Sequence, residues 1–236
     1  MALYAIGDLH LSLGADKPMD VFGGPWENYV EKIKLGFSSL HDDDVCVLCG
    51  DLAWGMTMEQ ALPDFQFIEA LPGKKILLKG NHDFWWSTVT KMTAMTHGAF
   101  EFIHNSAIQV GNVALAGTRG WISETAKTYK EDTDKSIILR EEGRMERSLA
   151  LAKQMKADRI IAILHYPPFD EMRRPSHMME IIAESGADLC LYGHIHGAPN
   201  FKNLPDSLLG VPLCLTSSDY LDFKPYFICD LEAPHA

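Results

Sequence analysis

The sequence predicts an α/β fold in which two β-sheets pack face to face and helices cover the outside. Three observations carry this. Five short apolar runs of strand-like composition each end in a polar cluster containing His, Asp or Asn. Stretches of helical period lie between them. Further short strand-like runs follow one another in the middle of the chain and near its C-terminus.

The five runs are residues 2–6 before Gly-Asp-Leu-His10, 45–49 before Gly-Asp51, 75–78 before Lys-Gly-Asn-His-Asp83, 160–164 before His165, and 189–192 before Gly-His-Ile-His196. Helical spacing of apolar residues predicts helices over 26–40, 58–71, 84–95, 137–156 and 176–185. Pro63, favoured in a first turn, places the start of the second helix near itself, and Gly186 suits a C-cap for the last. Residues 100–105, 107–110 and 113–117 read as successive strands joined by Asn-Ser and Gly-Asn turns, and 213–216 and 226–230 as another pair. Residues 124–134 are polar and charged and read as a solvated loop or helix ahead of a lid over the site.

A length of 236 residues fits one domain over 1–236, with no repeat, low-complexity tract or linker. The first residues lack a basic segment followed by an apolar one, and no apolar run reaches membrane-spanning length, so a soluble, cytoplasmic chain with no membrane partner is expected. The formal charge of −11 opposes a sequence-independent grip on nucleic acid, which depends on clustered cations. Five cysteines, an odd number, do not suggest a disulfide framework. Cys46 and Cys49 are three apart on one strand and point to opposite faces, so buried thiols are expected there and at Cys190, Cys214 and Cys229.

In open α/β sheets, groups at the carboxyl ends of strands converge in one crevice. Imidazole and carboxylate donors at five such ends suit divalent first-row metals. Neither Asp8 and His10 nor His194 and His196 would be specific alone; the five clusters together are. His41, His97, His104, His177 and His235 follow no such pattern and are assigned surface or packing roles.

In their order, D-x-H, G-D, G-N-H-D, a lone His after a strand and G-H-x-H resemble the calcineurin-like metallophosphoesterases, over Asp8 to His196. The resemblance implies a four-layer α/β/β/α sandwich and a binuclear centre at one edge. It implies a first metal on Asp8, His10 and His196, a second on Asn81, His165 and His194, and Asp51 bridging both. Two such ions clamp a phosphoryl group and lower the pKa of a shared water, which then attacks phosphorus. His82 is not needed as a ligand and is free to protonate the departing oxygen, with Asp83 either orienting it or capping a helix.

Branches of the superfamily differ at positions present here. Gly-Asp-Leu-Ala-Trp and Gly-Asn-His-Asp depart from the protein phosphatases, and Trp54 stands where purple acid phosphatases carry a tyrosine ligand. Lys79 and Arg119 are the cations expected near the phosphate, with Arg173 and Arg174 less well placed. Trp54, Trp85, Trp86 and Trp121 follow strand ends and form either a stacking wall for a nucleotide-like group or core.

The expected function is two-metal hydrolysis of a small phosphate ester, a diester slightly ahead of a monoester, with Mn, Fe, Zn or Co as the ions. A non-catalytic scaffold binding a protein partner is the alternative, and no ligand has been lost in the way such a scaffold would tolerate. A metal-free nucleotide-binding protein lacks its glycine-rich loop.

Overall fold

A computed structural model describes residues 1–233, so His235 lies outside the described residues. The chain forms two sheets stacked between two helical layers, the α/β/β/α sandwich expected. The first sheet has the order β11-β1-β2-β3-β4, from β1 (Ala2–Ile6), β2 (Val45–Leu48), β3 (Lys74–Leu78), β4 (Phe100–Ile103) and β11 (Tyr226–Asp230). The second has the order β5-β6-β7-β8-β10-β9, from β5 (Ala107–Val110), β6 (Val113–Thr118), β7 (Arg159–Leu164), β8 (Leu189–Tyr192), β9 (Ser207–Leu208) and β10 (Val211–Leu215). β1 to β4 are parallel, as are β6, β7, β8 and β10, whereas β11, β5 and β9 run antiparallel at the edges.

Alternation along the strands builds three apolar layers. Leu3, Ala5, Val45, Val47, Ile76 and Leu78 meet Val113, Leu115, Ile161, Ile163 and Leu191 between the sheets. The opposite face of the first sheet, with Ile6, Leu48 and Leu77, packs on α1 (Tyr29–Phe37) and α2 (Met58–Ala70) through Ile33, Phe37, Phe65 and Ile68, and on α3 (Val89–Met95) through Met92. Ala114, Ala116 and Ala162 keep the outer face of the second sheet shallow, so that α4 (Glu131–Ala152) and α5 (His177–Ser185) seat Met145, Leu149, Met179 and Ile182 against it.

Several expected boundaries and pairings change. Residues 213–216 and 226–230 do not pair. β10 joins β8, while β11 crosses to the other sheet and runs antiparallel to β1, with Ala2 opposite Asp230. Similarly β4 closes one sheet and β5 opens the other, so of the three middle strands only β5 and β6 pair as a hairpin. α2 begins at Met58, five residues before Pro63, because the Thr57 side chain caps the Gln60 amide at 3.3 Å. The first helix is interrupted by Asn28 in the left-handed region (φ +55°), which leaves Trp26 in a separate 3-10 turn. α3 starts only at Val89, capped by Thr88, because residues before it belong to the Asp83 loop. α4 reaches back to Glu131, where Glu131, Asp132 and Asp134 favour a helix N-terminus, and Gly186 ends α5 in the left-handed conformation. Cys46, Cys49 and Cys190 are buried, and burial pushes the Cys49 thiol up to about 12, whereas Cys214 and Cys229 are only half-buried.

Candidate metal centre

The carboxyl ends of the parallel strands of both sheets meet at one edge of the sandwich, and the donors collect there. Asp8 and His10 lie beyond the end of β1, not on it. Asp8 (φ +57°), His10 (φ +46°), Asp51 (φ +52°) and His194 (φ +72°) all adopt the left-handed backbone that non-glycine residues rarely occupy, so the loops turn sharply and aim these side chains inward. Two neighbouring glycines permit the crowding. A Cβ on Gly80 would collide with the Asp51 amide and carboxylate, and one on Gly193 with Asp8 Oδ2.

Two donor groups result, Asp8 with His10 and His196, and Asp51 with His165 and His194. In the first, His10 Nε2 and His196 Nε2 are 3.3 Å apart, and Asp8 Oδ1 is 3.3 Å from His196 Nε2 and 3.9 Å from His10 Nε2. In the second, His165 Nε2 is 3.3 Å from His194 Nδ1, 3.4 Å from Asp51 Oδ2 and 2.7 Å from Asn81 Oδ1. Two nitrogens bound to one tetrahedral ion at about 2.0–2.1 Å stand about 3.3–3.4 Å apart, so both imidazole pairs fit a shared cation. The same Asp51 Oδ2 lies 3.8 Å from His10 Nε2, which puts its carboxylate between the groups.

Two of the ring nitrogens left over are also engaged. His165 Nδ1 is 3.1 Å from the Cys49 carbonyl, and His196 Nδ1 is 2.9 Å from Asp219 Oδ1, leaving Nε2 of each ring for a cation. Ser217 donates to Asp8 Oδ2 at 2.9 Å, and Gly197 N donates to Asp219 Oδ2. Burial alone raises the Asp8 carboxyl, but His196 and His165 outweigh it and hold it at about 2. Burial brings His10 and His194 down to about 4, whereas Asp51 and Asp8 overcome burial at His165, raised to about 9, and Asp8 and Asp219 do so at His196, raised to about 10.

His82 belongs to neither group. Its amide donates to Asp51 Oδ1 at 2.7 Å, its ring packs on Trp54 with centroids 4.4 Å apart, and its Nε2 lies 4.0 Å from Asp51 Oδ2. Asp83 neither contacts the His82 ring by hydrogen bond nor caps α3. Its buried carboxylate accepts from the amides of Gly80, Asp51, Leu52 and Ala53 and from Trp85 Nε1, and so ties the second and third strand-end loops together. Burial and the adjacent Asp51 push it up to about 6, against the pull of these donors.

Lys79 and Arg119 share a cleft lined by none of the seven donors, where Arg119 Nη2 lies 3.7 Å from Glu141 and its guanidinium stacks on Trp121. Arg174 is spent on a two-nitrogen pair with Asp170, at 2.7 and 2.6 Å. Arg173 instead lines a cleft of about 430 Å³ beside His194 and His196, with Ile122, Tyr166 and Phe169. Ala126 and Thr128 of the segment read as solvated also line it, and Thr125 Oγ1 anchors that segment on Asp170 at 2.9 Å. Of the four tryptophans singled out, only Trp54 stacks on a donor, His10, at 5.1 Å; Trp85 is core, Trp86 donates to His104 and Trp121 to Asp134. Trp26, not anticipated, packs within 6 Å of both His10 (5.9 Å) and His196 (5.7 Å). Asp219 was also not anticipated, although it lies four residues beyond the end of β10, a strand parallel to β8, behind the polar run Thr216-Ser217-Ser218; the missed signal is this sixth apolar run ending in a carboxylate.

A family model for calcineurin-like phosphoesterases matches residues 1–198, a span that contains all seven donors. The chain belongs to that family. No curated protein matches it significantly. Among solved structures, this phosphoesterase is similar in fold to a protein of unknown function from Aquifex aeolicus (17% identity, 96% of this chain and 95% of that one, TM-score 0.52). It is likewise similar to the phosphopantetheinyl hydrolase of Mycobacterium tuberculosis (13% identity, 100% and 98% coverage, TM-score 0.54). Family membership and the two donor groups together support metal-dependent phosphoester hydrolysis as the general chemistry. Among the described residues, no helix is long and apolar enough to cross a membrane.

Proposed function

We propose that the chain hydrolyses a small phosphate ester, a diester slightly ahead of a monoester, at two divalent transition-metal ions drawn from Mn, Fe, Zn or Co. The observation that carries this reading is Asp51 Oδ2 standing 3.4 Å from His165 in one donor group and 3.8 Å from His10 in the other. Asp8, His10 and His196 would hold the first ion, Asn81, His165 and His194 the second, with Asp51 shared. When bound, the ions supply Lewis-acid stabilisation of phosphoryl charge and an activated water.

The chain's own groups do the remainder. Asp219 and the Cys49 carbonyl fix the tautomers of His196 and His165. Asp83 clamps the loops that carry Asp51 and Asn81. His82, half-exposed and outside both groups, donates a proton to the departing oxygen. Lys79 and Arg119 bind the anionic substrate. The cleft of about 430 Å³ beside His194 and His196 takes the organic part, against Tyr166 and Phe169. Its volume suits a sizeable leaving group, as does the likeness to an enzyme named a phosphopantetheinyl hydrolase.

The test compares an alkyl or nucleoside ester with an activated nitrophenyl ester, both supplied with Mn, in wild type and His82→Ala. A positioned acid is worth about 10²–10⁴-fold, mostly for the basic leaving group. The variant should keep its metal and lose far more activity on the alkyl ester. Equal losses on the two esters would remove His82 as the acid, and no hydrolysis of any ester by metal-loaded wild type would reject the reading.

A further inference from the structure

A second cleft, of about 210 Å³, opens where the loops after β3, β4 and β6 face α4. Lys79, Arg119, Arg140 and Arg144 line it together with His104 and a single carboxylate, Glu141. The chain as a whole carries a formal charge of −11, yet here four permanent or near-permanent cations surround one anion.

Neutralising Glu141 does not account for them. Its carboxylate is fully buried and already satisfied: Oε2 accepts from Thr118 Oγ1 at 2.5 Å, and Oε1 accepts from Arg144 Nη1 at 2.7 Å. Arg119 Nη2 at 3.7 Å and Arg140 Nε at 3.9 Å stand beyond hydrogen-bond distance of it. Arg119 Nε is buried and has no hydrogen-bond partner among the described residues. A buried N–H without a partner is destabilising, and cations that share a single carboxylate repel one another, so the arrangement is incomplete as it stands. One turn of α4 sets the geometry, since Arg140 and Arg144 are four residues apart and face the same way, with Glu141 beneath Arg144. His104 Nδ1 accepts from Trp86 Nε1 at 2.9 Å, so the neutral ring carries its proton on Nε2 and adds a further donor to the lining.

The cleft adjoins the metal centre without being part of it. Lys79 immediately precedes Gly80 and Asn81, and the Arg119 carbonyl accepts from the amides of His165 (3.1 Å) and Tyr166 (3.0 Å). A ligand held at the two donor groups is therefore one loop away from these cations.

We propose that this cleft binds a second tetrahedral dianion, a phosphate group carried by the substrate in addition to the one hydrolysed, so that the substrate class is a phosphate ester bearing a further phosphate. The inference rests on the phosphoesterase reading above, and only its calorimetric arm is independent of that reading. Guanidinium groups bind phosphate oxygens in pairs, and an isolated cationic cleft in an acidic protein selects a compact dianion over an extended polyanion.

Two arms test it. In the first, inorganic phosphate is titrated calorimetrically into chelator-treated protein, wild type and Arg140→Gln. Arg140 is half-exposed, and its replacement removes only its 3.9 Å ion pair while the Thr118 and Arg144 hydrogen bonds to Glu141 remain; Arg144→Gln serves as a second variant. Wild type should bind phosphate without metal, and each substitution should weaken binding about tenfold or more, the loss expected for one charge-assisted contact. In the second, kcat/KM of Mn-loaded protein is compared for adenosine 3′,5′-bisphosphate and adenosine 5′-monophosphate, and Arg140→Gln should lower the ratio by a similar factor. No phosphate binding by metal-free protein, binding insensitive to both substitutions, or turnover with an unchanged ratio would each overturn the proposal. Phosphate binding lost on substitution, with neither nucleotide hydrolysed, would support the anion cleft while counting against the hydrolytic reading.

Discussion

Asp83→Asn isolates the clamp that joins two of the strand-end loops. In the native chain Oδ2 accepts from Gly80 N at 2.7 Å and Asp51 N at 2.9 Å, while Oδ1 accepts from Leu52 N at 2.8 Å, Ala53 N at 3.3 Å and Trp85 Nε1 at 3.1 Å. An asparagine has one acceptor oxygen, so whichever way the amide turns, its NH₂ faces buried N–H donors. With the oxygen on the Leu52 side, two charge-assisted bonds are lost at about 1.5–3 kcal/mol each. Burying one negative charge fewer beside Asp51 offsets part of this, leaving a net loss of about 2–4 kcal/mol, in the range of a broken buried network. For a chain of this size that lowers Tm by about 5–15 °C. Thermal unfolding followed by circular dichroism, with chelator present so that metal affinity does not enter, measures it. A Tm within about 2 °C of wild type would refute the clamp.

Two other substitutions probe different parts of the same edge. Asp219→Ala removes the partner of His196 Nδ1 and should weaken binding at the first donor group about 10–100-fold by metal titration, with the second group little affected; equal weakening at both would contradict its role as a positioning residue. Asp170 anchors the loop under the larger cleft: burial raises its carboxyl, but Arg174, Thr125 and backbone amides bring it down to about 2 from an ordinary 3.8. Its stabilisation is therefore complete above the unfolded value and is lost as pH falls through about 2. Denaturant unfolding should show wild type losing about 1–2 kcal/mol more than Asp170→Asn between about pH 5 and pH 2, and parallel curves would remove the effect.

The strand-end clusters were legible because the sandwich converts sequence order into convergence: an apolar run followed by a donor is a local pattern, and parallel strands bring such ends to one edge. The sandwich itself followed from the periods of the same runs. What the pattern did not carry is tertiary. β11 returns to β1 across the whole chain, and nothing local in 226–230 distinguishes that from pairing with β10. Asp219 reaches His196 from the loop after β10, a run read as half of a local pair and not as a parallel strand ending at the same edge, and Trp26 reaches it only because Asn28 breaks the helical path. Asp83 carried two expected roles, orienting and capping, and takes neither, because three amides from another loop and the Gly80 amide of its own arrive at its oxygens. Lys79 and Arg119 were picked out as cations near phosphate, but their grouping with Arg140 and Arg144 depends on where α4 lies against β6. The left-handed backbone at Asp8, His10, Asp51 and His194 is equally invisible in composition, since none of these is glycine.

The central claim is that the seven donors hold a metal pair joined through Asp51. Elemental analysis of protein saturated with Mn, after removal of loosely bound ions, tests it most directly when wild type is set beside Asp51→Asn. Two ions per chain are predicted for wild type, with both weakened in the variant, because a shared carboxylate that loses its charge is lost to both groups. A saturated stoichiometry of one ion, or a variant that keeps one site at full affinity, would contradict the shared centre.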